Sequence, residues 1–208
     1  MRMDRIVLTT TNRGKIKELK DEFRDLDIEL LTLNNFSFIL PYLEDPEETG
    51  STFEENALIK AAYYYDKFKM PVLSDDSGLM VDALNGIPGV YSGRYSGVTG
   101  LYKDVANMDK LSDEMKAKNI SESSAKYVCS MILYLSNRVY ISTTGICNGI
   151  VKLERRGTNG FGYDPMFWIT NPEGGMRTMA ELNKDEKNEI SHRGKALRDL
   201  KKILKKFK

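Results

Sequence analysis

The sequence predicts an α/β fold built on a mixed β-sheet. Three observations predict it. Apolar strand-like runs alternate with amphipathic helical stretches through the N-terminal part of the chain. Farther on, Ala125, Tyr127, Cys129, Met131, Leu133 and Leu135 alternate strictly, and a second apolar run returns after Asn137-Arg138, the pattern of an antiparallel hairpin. The chain has 208 residues, 41% of them hydrophobic and 29% charged, enough to bury a substantial core in one domain over 1–208 with room for two lobes.

The elements follow in order. Ile6-Val7-Leu8-Thr9 reads as a first buried strand. Asn12 caps a helix over 13–23 whose stripe is Ile16, Leu19, Lys20 and Phe23. A second strand is expected over 28–33. The stretch 34–50 holds Pro41, Pro46 and an acidic run from Glu44 to Glu48, a loop composition. Thr52-Phe53-Glu54-Glu55 is a capping box that opens a helix running to Phe68. Val72-Leu73-Ser74 is a short buried strand ending at Asp75-Asp76, where the chain is expected to turn out of the sheet. Gly86-Ile87-Pro88-Gly89 is a turn, and 103–118 a polar helix. The hairpin comes next, its second strand over 139–147, with a separate third strand over 150–153. The last helix starts near Ser191 and carries Ala196, Leu197, Leu200, Ile203, Leu204 and Phe207 on one stripe.

Bulk properties exclude several classes. A net charge of +1 supplies no general attraction to nucleic acid or an acidic membrane, so neither is expected as a partner and nucleotide binding must come from a local site. Met1-Arg2-Met3-Asp4-Arg5 is followed by too few apolar residues for a signal peptide, and no run is long enough to span a bilayer. Without a secretory signal, Cys129 and Cys147 are expected as buried thiols of a cytoplasmic protein. A single histidine, His192, excludes a multi-histidine zinc site. No Walker glycine precedes Gly14-Lys15 or Gly194-Lys195 at the required spacing, which excludes a P-loop.

Ser74-Asp75-Asp76-Ser77-Gly78 carries the most chemistry. Side-by-side carboxylates repel and are costly to bury, and a hard cation is their usual compensation. Strand neighbours point to opposite sides, so one aspartate faces a site while the other fixes the loop; the plainer alternative is a turn with one capping and one solvated carboxylate. In Thr10-Thr11-Asn12-Arg13-Gly14-Lys15, free N–H groups at a helix start and the Lys15 charge attract an anion; the alternative is an N-cap beside a solvated lysine. Asn56 and Lys60 share a helix face, whereas Glu48 alone reads as a solvated loop carboxylate. In Gly157-Thr158-Asn159-Gly160-Phe161-Gly162-Tyr163-Asp164-Pro165, glycines let backbone approach a ligand and Phe161 or Tyr163 stacks on a base, or else the aromatics pack inward. In Ser191-His192-Arg193-Gly194, Ser191 reads as an N-cap, Arg193 as a group able to reach a ligand, and His192 as a packing or capping group. An acidic metal seat, a glycine-rich cradle and clustered cations together point to a phosphate-bearing substrate.

Six blocks in order across nearly the whole chain resemble the inosine triphosphate pyrophosphatase family, the non-canonical purine nucleoside triphosphate pyrophosphatases. They are Thr10 to Lys15; Glu47-Glu48-Thr49-Gly50 with Thr52 to Ala57 and Lys60-Ala61; Ser74 to Leu79; Pro88-Gly89-Val90-Tyr91-Ser92 with Arg94 to Gly97; 157–167; and Lys187 with Ser191 to Gly194. The region 98–124 resembles the family poorly.

The resemblance implies an elongated mixed sheet flanked by helices, two lobes with a substrate cleft between them, and a homodimer. It implies Mg2+-dependent hydrolysis of ITP, dITP or XTP to the monophosphate and pyrophosphate. By position, Glu48 and Asp76 would hold Mg2+, with Asp76 as base on the attacking water. Thr10, Thr11, Asn12, Arg13, Gly14, Lys15 and Lys60 would bind the triphosphate, and Ser77 would contact substrate. Phe161, Gly162, Tyr163, Asp164, Lys187, His192 and Arg193 would line the nucleoside pocket, with Arg193 or nearby backbone N–H groups donating to a 6-oxo purine. Three other readings share these residues: a pyrophosphatase for other modified nucleotides, a non-hydrolytic nucleotide sensor, and a purely structural domain. The retained carboxylates Glu48 and Asp76 argue against the sensor, and the many site cations against the structural domain.

Overall fold

The computed structural model describes residues 4–38, 44–171 and 174–206. Part of the loop expected over 34–50, and Phe207 of the C-terminal stripe, lie outside the described residues. In chain order the main elements are β1 (Arg5–Leu8), α1 (Arg13–Glu22), β2 (Glu29–Thr32), α2 (Phe53–Phe68), β3 (Val72–Val81), α3 (Lys103–Ala117), β4 (Glu122–Ser136), β5 (Val139–Lys152), β6 (Phe167–Thr170), β7 (Met176–Thr178), α4 (Lys184–Ile190) and α5 (His192–Lys205). The strands form a 7-stranded sheet in the order β2-β1-β3-β4-β5-β6-β7. It is parallel across β2, β1 and β3, with Leu8 opposite Leu73, and antiparallel across β5, β6 and β7, with Ile150 opposite Trp168. Parallel neighbours require crossover connections, and α1 and α2 supply them, so the expected α/β class with a mixed sheet holds.

Local chemistry sets the helix starts. Asn12 accepts from the N–H groups of Gly14 and Lys15 at 2.8 and 3.2 Å. Thr52 accepts from the Glu55 N–H at 3.2 Å while the Glu55 carboxylate returns to the Thr52 N–H at 3.1 Å, the reciprocal box expected from the sequence.

Three expectations change. First, β3 does not end at the aspartates but runs through them to Val81. Ser, Asp and Gly are poor strand formers, yet β3 pairs on both edges and its charges find partners, so context overrides propensity. Second, the runs at 139–147 and 150–153 are one strand, β5. Asn148-Gly149 reads as a break, but a Cβ on Gly149 would lie 2.5 Å from the Trp168 carbonyl oxygen, so the glycine serves a close strand approach. Third, β6, β7 and α4 are too short, at 4, 3 and 7 residues, to register as periodicity.

The chain folds as two compact units made of interleaved segments. The first takes the N-terminal part up to Asp76 together with Cys129–Gly145 and the chain from Arg193 onward. One face of its sheet packs Ile6, Leu8, Leu73, Met131 and Leu133 against Leu19 and Phe23 on one side and Leu197 and Leu200 of α5 on the other. The opposite face packs Val7, Val72 and Ile132 against Ala57, Ala61 and Tyr64 of α2. The second unit, Ser77–Val128 with Ile146–His192, buries Leu79, Val81, Leu111, Met115, Tyr127, Tyr163 and Phe167. Each such side chain contributes roughly 1.5–3 kcal/mol on burial. Alternation along β3 then assigns the aspartates. Asp75 shares the face of Leu73, toward α1 and α5, and Asp76 shares the face of Val72, toward α2.

Candidate active site

In the first unit, β3 presents two buried carboxylates, Asp75 at 5% and Asp76 at 9% exposure. On the Asp75 side, Lys15 Nζ lies 2.8 Å and Arg193 Nε 3.4 Å from Oδ2, and the Cys129 thiol approaches at 4.0 Å. Arg193 Nη1 turns to Glu18 at 2.8 Å. Burial alone would raise the Asp75 pKa, but Lys15 and Arg193 outweigh it and hold the carboxyl well below the usual carboxylate range. Burial would likewise lower Arg193; Asp75, with Glu18, reverses that and keeps the guanidinium firmly charged.

The Asp76 side is built differently. Asn56, on the first turn of α2, donates to Asp76 Oδ2 at 3.3 Å and accepts from the Gly50 N–H at 2.8 Å, which ties the acidic loop to the helix. Lys60, one turn later, pairs with Glu48. Burial and then the Glu48 charge push the Asp76 carboxyl up to about 6. Lys60 is pulled down by burial and up by Glu48, Asp75 and Asp76, and ends raised. Adjacent residues are therefore driven apart, Asp75 to a fixed anion and Asp76 to a carboxyl near neutrality, the division expected of a proton-handling site.

A hard divalent cation fits this side. Glu48 and Asp76 are oxygen donors, and burial followed by the Glu48 charge raises Asp76 even with Lys60 and Lys15 nearby, so further positive charge is accommodated here. Among the described residues, no group of three or more His, Cys, Asp and Glu is placed to form an all-protein cage. Magnesium is commonly held by one or two carboxylates plus water and substrate phosphates, which suits a pair better than a cage.

The expected phosphate loop behaves in part as the plainer reading. Asn12 consumes the Gly14 and Lys15 N–H groups, and Thr10 Oγ1 accepts from the Asn12 N–H at 3.2 Å. Thr11 and Arg13 are exposed. Lys15, however, is not a solvated lysine, since it is anchored on Asp75.

In the second unit, Asp164 organises the glycine-rich loop. Its Oδ2 accepts from the Phe161 N–H at 2.9 Å and pairs with Lys187 Nζ at 2.6 Å. That Nζ also sits 4.6 Å from the Phe161 ring centroid. A Cβ on Gly160 would stand 2.0 Å from Asp164 Oδ2, so this glycine makes room for the ion pair rather than for a ligand. Tyr163 is buried and donates to the Ser92 carbonyl at 3.0 Å, which leaves Phe161 as the half-buried aromatic of the loop. His192 stacks on Tyr127 with ring centroids 4.7 Å apart, a packing role. Ser77, next to Asp76, is half-buried. Arg193, expected to line the nucleoside pocket, pairs with Asp75 and Glu18. The sequence reading missed Glu18 as a counterion; its i+3 spacing from Lys15 was the only available signal.

Comparison with known proteins gives concordant matches. A sequence model of the Ham1 family matches residues 6–203. A protein of Bacillus anthracis named dITP/XTP pyrophosphatase is 42% identical over 200 residues, 95% of each chain. One of the same name from Listeria innocua is 41% identical over 202 residues, 97% of this chain and 95% of the other. A HAM1 protein structure from Coxiella burnetii superposes with a TM-score of 0.86 at 40% identity, covering 98% of this chain and 100% of that one.

Proposed function

This chain belongs to the Ham1 family, and on that premise we propose that it hydrolyses non-canonical purine nucleoside triphosphates, ITP, dITP and XTP, to the monophosphate and pyrophosphate. The whole chain acts as one catalytic domain. The observation that carries the reading is the split pair on β3: Asp75 fixed as an anion by Lys15 and Arg193, and Asp76 raised beside Glu48.

Glu48 and Asp76 would hold Mg2+, which would supply positive charge at this pair and Lewis-acid polarisation of a phosphate oxygen and a nearby water. Asp76 takes the proton of the attacking water, a role open to a carboxylate beside the metal. Water is the nucleophile, so the buried Cys129 and Cys147 have no part in the reaction. Lys15 and Lys60, with the loop at Thr10, Thr11, Asn12, Arg13 and Gly14, take the triphosphate. A polyanion of nearly four charges needs several cations and a metal. Ser77 contacts the substrate.

Phe161, Gly162, Asp164 and Lys187 take the nucleoside, with Phe161 as the stacking surface; Tyr163 and His192 back the pocket. Lys187 and backbone N–H groups of this loop are the donors to a 6-oxo purine. Adenine would set its amino group against a donor, at a cost of about 1–3 kcal/mol for each buried group left unpaired. The protein works in the cytoplasm as a homodimer. No described helix is long and apolar enough to cross a membrane.

A nucleotide panel with Mg2+, assayed separately for pyrophosphate and orthophosphate, tests the reading. ITP and XTP should give pyrophosphate and exceed ATP by roughly a hundredfold in kcat/KM, and excess chelator should abolish turnover. Release of IDP and orthophosphate would overturn the assigned polarity.

A further inference from the structure

The segment Pro88-Gly89-Val90-Tyr91-Ser92 has no place in the reaction as described so far, yet Ser92 is among the most connected polar residues of the second unit. It is buried, at 6% exposure. Its Oγ accepts from the Leu79 N–H at 2.9 Å and donates to the Gly89 carbonyl at 2.6 Å. Its own carbonyl receives two donors, the Tyr163 hydroxyl at 3.0 Å and Asn107 Nδ2 at 3.2 Å. Asn107 Oδ1 in turn accepts from the Ser96 N–H at 2.8 Å. Leu79 lies on β3, the strand that carries Asp76, and Tyr163 lies in the glycine-rich loop at 157–165. The same loop is held a second time, by Asp104 of α3, which accepts from the Gly162 N–H at 2.8 Å.

We propose that Ser92 is a positioning residue that joins the loop taking the purine base to the strand carrying Asp76, so that the seating of the base sets the catalytic strand. One residue links the two because its side chain and its carbonyl face different partners. A shift of the Tyr163 hydroxyl pulls on the Ser92 peptide, and the Oγ of that residue is hydrogen-bonded to the backbone of β3. Both ends are buried and their groups are paired, so a displacement at one end leaves a polar group unpaired unless the other end follows. The inference rests on the assignment of that loop to the nucleoside.

The test has two arms. The first reads the coupling without any reaction: amide hydrogen exchange of Leu79 by NMR, in the native chain and in Tyr163→Phe, which deletes only the hydroxyl. The expected result is Leu79 exchange faster by about tenfold, with Val7 of β1 unchanged as reference. Unchanged Leu79 exchange overturns the proposal. The second arm is a double-mutant cycle of Tyr163→Phe and Ser92→Ala in ITP hydrolysis. Each single variant should lower kcat about tenfold with KM within about twofold, and the double variant should lose little more than the worse single one. Losses that multiply, or that fall on KM alone, overturn it. If Ser92→Ala does not fold, the exchange arm decides by itself. If the native chain hydrolyses no nucleotide, the proposed function fails while the exchange arm still judges the coupling.

Discussion

Burial acts on Asp75 and Asp76 alike, and their neighbours decide the rest. Lys15 and Arg193 keep Asp75 charged, while Glu48 leaves Asp76 wanting a proton. That sign has a measurable consequence in chelator. An aspartate whose pKa moves from 3.8 unfolded to about 6 folded lends stability below the lower value and loses it as pH rises through the upper one. Asp76→Asn escapes the loss. Its Tm relative to the native chain should climb between about pH 4 and 6 and hold above, a gain on the order of 2–3 kcal/mol, while kcat with Mg2+ falls by about a hundredfold or more. A flat difference in Tm across that range would show that Asp76 titrates normally. Arg193 tests the opposite regime. Removing one partner of a buried ion pair costs about 3–5 kcal/mol, so Arg193→Ala should lower Tm by roughly 10 °C and weaken ITP and ATP hydrolysis alike. A selective loss with ITP would return Arg193 to base reading. The aspartate pair was legible in the sequence as chemistry. The partner that holds Asp75 was not, because Arg193 lies over a hundred residues away in sequence and only the packing of α5 brings it in.

Elements with a local signature were readable to within a residue or two. Asn12 and the Thr52 box fixed two helix starts, because capping is chemistry between near neighbours. The alternation of β4 showed one face only. Ser130, Ile132 and Tyr134 on the other face are buried too, and no period-two rule reveals a strand covered on both sides. β5 was read as two pieces because Gly149 looks like punctuation when the partner strand is unseen. Gly149→Ala sets a methyl 2.5 Å from the Trp168 carbonyl oxygen and 2.6 Å from the Phe167 ring, with β6 on one side and no flexible tip to yield. It should cost about 1–3 kcal/mol and lower the urea midpoint. An unchanged midpoint would mean that β5 and β6 part easily.

The boundary between the two units cuts three strands and the start of a helix, not linkers. It falls between Asp76 and Ser77 on β3, between Val128 and Cys129 on β4, between Gly145 and Ile146 on β5, and between His192 and Arg193 at the start of α5. Neither unit is a continuous piece of chain, so neither can unfold without taking three shared strands with it. Urea unfolding should be one transition, with coincident midpoints from far-ultraviolet circular dichroism and from the fluorescence of Trp168, the single tryptophan. Midpoints separated beyond error would mean that the units melt apart. Composition gave a fair estimate of core size, but nothing in it announces interleaving, which is a property of strand order and appears only once the hairpin pairs with β3 and β6.

The opposite facing of Asp75 and Asp76 also makes the site a matter of parity. A slip of β3 by one residue against β1 would not blunt the site; it would turn each carboxylate to the opposite face, and a slip that carries Asp76 to the place of Asp75, among the cations, leaves Ser77 where Asp76 stood. No intermediate register exists. Errors of assembly at this strand therefore yield whole molecules that either work or do not, and the specific activity of a refolded sample counts heads rather than grading quality.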